Sequence, residues 1–231
     1  MARAGRLRPT GDNRRMEFQE YLHTLRVWDV ELPQFDVEAA PDEPLPLFQE
    51  WLMHAGRAGQ TEPHTMSLAT VDGEGQPDVR TLMLHGADTA GFTFGSHSGS
   101  AKGRQLAARP AAALGFYWPA VGRQVRVRGA VRPADADAGQ ADLHARSTGA
   151  LAAALVGHQS EVLGSLDELA AASETAWAQA AASPDTPVPS WTLYVLDPVE
   201  VEFFQGDARR RHVRLRYRRE GAGWVRELLW P

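Results

Sequence analysis

Five arginines and one histidine crowd the ten residues 208–217, ARRRHVRLRY, near the end of a chain whose formal net charge is −5. Read as a strand with alternating side chains, Arg210, His212, Arg214 and Arg216 share one face, and Val213, Leu215 and Tyr217 share the other. Residues two apart on one face stand roughly 7 Å from each other, a spacing that suits an elongated anionic or planar ligand. The same pattern describes a solvated edge strand whose charge discourages edge-to-edge pairing. A nucleic-acid patch has less behind it. No other arginine cluster carries interleaved aromatics, and the acidic total provides no field to steer a polyanion.

Two further basic positions stand apart from that run. Arg80 sits in VRTLML, which otherwise reads as buried strand, and an interior guanidinium needs an anion or several acceptors. Lys102 is the single lysine among 24 basic residues and follows the small and hydroxyl residues of GSHSGSAKG at a helix start. Backbone N–H groups and the helix dipole favour a phosphate in such a setting, although ordinary capping has the same composition. His85, His144 and His158 lack metal-ligand spacing. Glu200 and Glu202 alternate on a strand and read as solvated, and Ser96 and Ser160 sit in no nucleophile motif. No metal, hydrolytic nucleophile or acid–base pair is assigned.

The elements that must position these residues follow from composition and period. With 231 residues, 43% hydrophobic and 23% charged, the chain suits a globular fold, and with no cysteine it has neither disulfides nor thiolate ligands. No stretch reaches transmembrane length. MARAGRLRPTGDNRR lacks the apolar segment of a secretory signal, so a loose tail and a cytoplasmic location are the expectation. Residues 1–43 read as an extended arm with at most one short helix near 16–26. Leu47, Phe48, Trp51, Leu52 and Ala55 make one apolar helical stripe ending near Gly59. MSLATV and VRTLMLHGA read as a hairpin across DGEGQP, followed by the strand GFTFGS. Ser100 caps a short helix that ends before Pro110, and AALGFYWP and RQVRVRGAVRP are two more strands. Residues 134–183 are an alanine-rich insert of two or three helices broken at Gly149, Gly157 and Gly164. The tail returns to strands in WTLYVLDPVEVEFFQG, RRHVRLRYRRE and GWVRELLWP. Strands on both sides of a helical insert predict a mainly antiparallel, barrel-like domain over 44–231 with peripheral helices.

Taken in order, LATVDGEGQP with the Arg80 strand, SAKGRQL, GRQVRVRG, HQSE and EFFQGDARRRHVRLRY running into a C-terminal tryptophan strand resemble the pyridoxamine 5′-phosphate oxidase family of FMN-binding split barrels. The resemblance covers about residues 44–231. It implies a homodimer with FMN at the interface, hydride transfer from substrate to the flavin N5, and reoxidation by O2 to H2O2. It places Arg80 and Lys102 on the FMN phosphate and Thr81, Leu82 and Met83 beside the ring system. Ser96, Gln124, Gln159, Ser160, Phe204 and Arg214 complete the implied cofactor set, with Phe204 replacing a family tryptophan. Arg210 and His212 would face the substrate, orienting it without acid–base chemistry.

The departures concern the substrate's phosphate. His85 replaces the family's lysine, Asp142 its tyrosine and Ala150 its serine, so that only Arg146 remains of that pocket, where it can pair with Asp142 instead. The arm LPQFDVEAAPDEPL followed by QSE and RLRY is similar to the phenazine-biosynthesis branch. Three readings follow: a pyridoxine or pyridoxamine 5′-phosphate oxidase; an oxidase of the same fold for another substrate such as a dihydrophenazine; and a non-catalytic flavin- or haem-binding protein. None involves nucleic acid or a membrane.

Overall fold

The computed structural model describes residues 17–28 and 30–231; the expected N-terminal tail at 1–15 lies outside them. A short helix α1 (Phe18–Thr24) and an extended segment lead into α2 (Pro44–Arg57), which Pro44 opens at a position where its missing N–H has no cost. Then come β1 (Thr65–Val71), β2 (Pro77–Met83), β3 (Gly86–Asp88), β4 (Gly91–His97), α3 (Ala101–Ala108), β5 (Ala111–Trp118) and β6 (Arg123–Pro133). Helices α4 (Ala136–His144), α5 (Thr148–Val156) and α6 (Leu166–Ala182) precede β7 (Trp191–Gln205), β8 (Val213–Glu220) and β9 (Gly223–Leu228).

All described strands form one antiparallel sheet in the order β2-β1-β5-β6-β7-β4-β3, with β8 pairing β7 and β9 pairing β8. The long β7 divides it. Residues 191–196 pair with β4 and residues 200–205 with β8, while β6 runs along the other edge. Between the halves Arg128 faces Glu200 but Gly129 faces Pro198, so Val199 is the extra residue of a bulge that bends the strand. Gly129 is required there, because a Cβ would meet the Asp197 carbonyl at 1.9 Å. The bend curls the sheet into a half-barrel around the apolar face of α2. Phe48 packs edge-on against Phe92 and Phe116, and Trp51 against Phe203, with ring centroids 4.9, 5.0 and 5.2 Å apart. No helix among the described residues is long and apolar enough to cross a membrane.

Several expectations need correction. VRTLMLHGA is two strands, β2 and β3, separated at Leu84 and His85. β2 is an edge strand rather than a buried one, pairing only with β1 and leaving Val79 64% and Met83 47% exposed. Gly149 lies inside α5; the break falls at 145–147, where the Ser147 hydroxyl caps α5 by accepting from the Ala150 N–H at 3.3 Å. β8 begins only at Val213, so Arg210 and His212 precede the strand that carries Arg214. Asp207 builds the turn before it, its carboxylate accepting from the N–H groups of Arg209 and Arg211 at 2.7 and 3.2 Å, while Arg210 takes a left-handed φ of 64°.

Candidate functional site

Most of the implied site residues fall into two groups, and none of the described hydrogen bonds, ion pairs or ring contacts joins one group to the other. The first gathers at the β2 edge and the start of α3. Arg80 shares the inner face of β2 with Leu82, while Thr81 and Met83 point outward and are exposed. Its guanidinium donates to the Leu68 carbonyl at 3.3 Å and to Gln105 Oε1 at 3.0 Å, and it also meets Thr70 and Asp78. The Gln105 amide holds Asp78 below the usual carboxylate range, against its slight desolvation and aided by the Arg80 charge.

Ser100 is fully buried and caps α3. Its hydroxyl accepts from the Gly103 N–H at 3.2 Å and donates to the His97 carbonyl at 2.8 Å, with Lys102 Nζ at 3.4 Å and the Ser96 hydroxyl at 3.3 Å. Gly103 lets the helix approach β4 closely, since a Cβ would lie 2.3 Å from the Ser98 carbonyl. Ser160, in a left-handed conformation, accepts from the Ala101 N–H at 3.1 Å and thereby joins the α3 start. Gln159 does not join it; its amide donates to the Ala153 carbonyl. Burial pulls Lys102 below its ordinary value of 10.5, the nearby Arg80 charge adds to this, and Asp78 only partly offsets it. Two cations with one shared carboxylate, beside hydroxyls and helix N–H groups, form a donor set that fits a phosphate.

His85 borders this cradle. A Cβ on Gly95 would meet its ring at 2.6 Å and that of Trp191 at 2.4 Å, so glycine at 95 keeps both rings against β4. Asp142 on α4 contacts His85 Nδ1 at 2.9 Å, Arg146 Nε at 3.5 Å and Trp191 Nε1 at 3.3 Å. Burial alone would raise Asp142, but the His85 bond, the His85 and Arg146 charges and the Trp191 bond together hold it below its usual value. Ala150 lies on α5, with no polar atom to add.

The second group lies on the outer face of β6, β7 and β8. Gln124 faces Phe204, and Phe204 faces Arg214, giving a single row across three strands. The next row is Arg126, Glu202 and Arg216. Gln124, Arg126, Glu202, Phe204, Arg214 and Pro231 line a cavity of about 270 Å³. A carbonyl-and-amide edge, an aromatic plane and a guanidinium in one row suit a planar heteroaromatic group. His212 adjoins it, its ring 5.0 Å from Phe204 and its Nδ1 accepting from the Asp207 N–H at 3.0 Å. Arg210 projects from the exposed turn outside the row.

Two residues escaped the sequence reading. Glu202, expected to be solvated, is 4% exposed and held by Arg126 and Arg214. The signal was the matched parity of RQVRVR, VEVEFF and RLRYR, which sets arginines on both sides of the glutamates. Trp28 of the arm packs on Phe204 and His212, with ring centroids 6.2 and 5.5 Å apart, and has a left-handed φ of 54°. A lone tryptophan in an aperiodic arm gives no pattern that could have found it.

Comparison with known proteins supplies the context for this geometry. Residues 52–180 match the family described as pyridoxamine 5′-phosphate oxidase, and residues 191–231 match the pyridoxine 5′-phosphate oxidase C-terminal dimerisation region. The chain is 45% identical over 197 residues to the pyridoxine/pyridoxamine 5′-phosphate oxidase of Azotobacter vinelandii, covering 83% of this chain and 90% of that one. It is 42% identical over 197 residues to the enzyme of the same name from Pseudomonas fluorescens, with the same coverage. Among solved structures, PhzG from Burkholderia lata 383, in complex with tetrahydrophenazine-1-carboxylic acid, is similar at TM-score 0.80 and 32% identity, over 88% of this chain and 98% of that one. An FMN-binding, pyridoxamine 5′-phosphate oxidase-related protein from Nostoc punctiforme shares the fold at TM-score 0.67 and 24% identity, covering 82% and 98% of the two chains.

Proposed function

Because the chain belongs to the pyridoxamine 5′-phosphate oxidase family, we propose that it is an FMN-dependent oxidoreductase acting on pyridoxine or pyridoxamine 5′-phosphate. The observation that carries this reading is the Arg80–Lys102 pair at the buried Ser100 cap, a cradle whose donors match the phosphate of a mononucleotide flavin. Arg80, Lys102, Ser96 and Ser160 would hold that phosphate. Gln124, Phe204 and Arg214 would hold the ring system, with Gln159, Thr81, Leu82 and Met83 along its length. His212 and Arg210 would orient the substrate, and His85 and Arg146 would meet its far end. When bound, FMN supplies a hydride acceptor for the substrate's carbon–hydrogen bond and passes the electrons to O2 as H2O2. The protein contributes position and electrostatics.

The two halves of the cofactor set are separate within one chain, so a second copy is the natural way to bring them together. The segment matching the dimerisation region leaves Trp230 93% exposed and Leu228 65% exposed, which favours a homodimer with the cofactor at its interface. Arg80→Ala tests the cofactor assignment. Removing a charged hydrogen-bond donor worth about 1.5–3 kcal/mol weakens FMN binding roughly 10- to 100-fold. Stoichiometric FMN on the purified variant would contradict the assignment.

A second reading rests on Asp142. Its carboxylate already engages His85 and Arg146, which leaves less positive charge for a substrate dianion and favours an oxidase whose substrate lacks a phosphate, such as a dihydrophenazine.

A further inference from the structure

Glu202 is the one acidic side chain in the buried set among the described residues. A carboxylate taken out of water is strongly unfavourable unless its charge and lone pairs are met. Here one oxygen accepts from the Arg214 Nε–H at 2.8 Å and lies 2.8 Å from Nη2 as an ion pair, and the other accepts from Arg126. The remaining terminal nitrogen of Arg214, Nη1, donates to the Trp230 carbonyl at 2.8 Å. All three nitrogens of Arg214 are therefore engaged. A guanidinium has five N–H groups, and the two hydrogen bonds, from Nε and Nη1, leave N–H groups on both terminal nitrogens for a bound group in the cavity that Arg214 lines.

We propose that Glu202 is a positioning residue of the cofactor wall, fixing the plane of the Arg214 guanidinium so that its free terminal N–H groups meet the polar edge of the bound ring. The inference rests on the reading of this cavity as the flavin's. Glu202 acts through Arg214. It sits one row away from Gln124, Phe204 and Arg214 and reaches Arg214 diagonally across β7 and β8. Its second arginine, Arg126, is more exposed and serves to complete the carboxylate. A glutamine at 202 presents one oxygen and an NH2 group, which faces an arginine donor with another donor, so one of the two arginines is released.

The neighbouring Glu200 is the control. It lies on the same face of β7 and pairs with Arg128 and Arg216 at 3.6 and 3.7 Å, but it lines no part of the cavity. A role confined to holding the strands together would affect both glutamates alike. The test is a titration of apoprotein with FMN, read by flavin fluorescence and by the visible band, for wild type, Glu202→Gln, Glu200→Gln, Arg214→Gln and the Glu202→Gln/Arg214→Gln double variant. Glu202→Gln raises the FMN dissociation constant at least tenfold and shifts the visible band, and Glu200→Gln does neither. The double variant is no weaker than Arg214→Gln alone, because the glutamate acts only through that arginine. Should the amide not fold, Glu202→Asp keeps the charge but shortens the reach, and it weakens FMN binding to an intermediate degree. An unchanged dissociation constant and band in Glu202→Gln or Glu202→Asp, an equal effect in Glu200→Gln, or additivity in the double variant would overturn the proposal. Wild-type protein that takes up no FMN would instead overturn the cofactor reading, and the proposal with it.

Discussion

The His85 imidazole lies 2.9 Å from the Asp142 carboxylate, which also draws in Arg146 at 3.5 Å. Two of the groups implied for the substrate's phosphate are thus partnered within the protein before any substrate arrives. Their shared carboxylate is half-buried, and its partners keep it ionised below the usual range against the opposing effect of burial.

Asp142→Asn consequently raises the preference for a phosphorylated substrate. Freeing one charge-assisted contact of about 1.4 kcal/mol corresponds to roughly tenfold. The measurement is the ratio of kcat/KM for pyridoxine 5′-phosphate over pyridoxine, in wild type and variant. An unchanged ratio would separate this cluster from the substrate.

With Lys102 in the proposed phosphate cradle, FMN binding is expected to depend on pH. Burial and Arg80 place its folded pKa below 10.5, so its positive charge is lost as pH rises through that lowered value. A phosphate dianion binds the charged form, so the affinity falls as pH rises through that lowered value, ahead of the ordinary lysine range. Dissociation constants measured as pH is raised toward 10.5 should show the fall in wild type and a weaker, flatter profile in Lys102→Met. Parallel profiles would place the titration elsewhere.

The arm contributes through Trp28. Its ring covers Gly206, where a Cβ would lie 2.9 Å away, and it contacts Phe204 and His212, while its Nε1 is buried with no acceptor among the described residues. Trp28→Ala removes ring contacts worth about 0.5–1.5 kcal/mol each. KM rises several-fold while FMN stays bound, as steady-state kinetics and the flavin spectrum would report. An unchanged KM would make Trp28 a packing residue only.

Local patterns in the sequence carried most of the architecture. The stripe from Leu47 to Ala55 marks the helix that fills the half-barrel, Ser100 marks a helix start, and the parity of RQVRVRGAVRP gives the inward valines of β6. Most of what failed was decided by contacts between distant segments, and one failure by a local turn. β2 reads as buried from its composition, but only the strand order makes it an edge. The run ARRRHVRLRY reads as one strand until Asp207 ties its first residues into a turn. Gly149 reads as a break, yet it sits in α5 against Trp177, where a Cβ would come within 3.2 Å of the indole. Glu202 reads as solvated because its burial comes from arginines on two other strands.

The most direct measurement is a visible absorption spectrum of the protein reconstituted with FMN and desalted, recorded again after anaerobic addition of pyridoxine 5′-phosphate. The flavin bands should survive desalting and bleach when the substrate is added. Bands that persist unbleached would contradict the vitamin B6 substrate and turn the assignment toward the second reading, and no flavin bands after desalting would contradict the account at its centre.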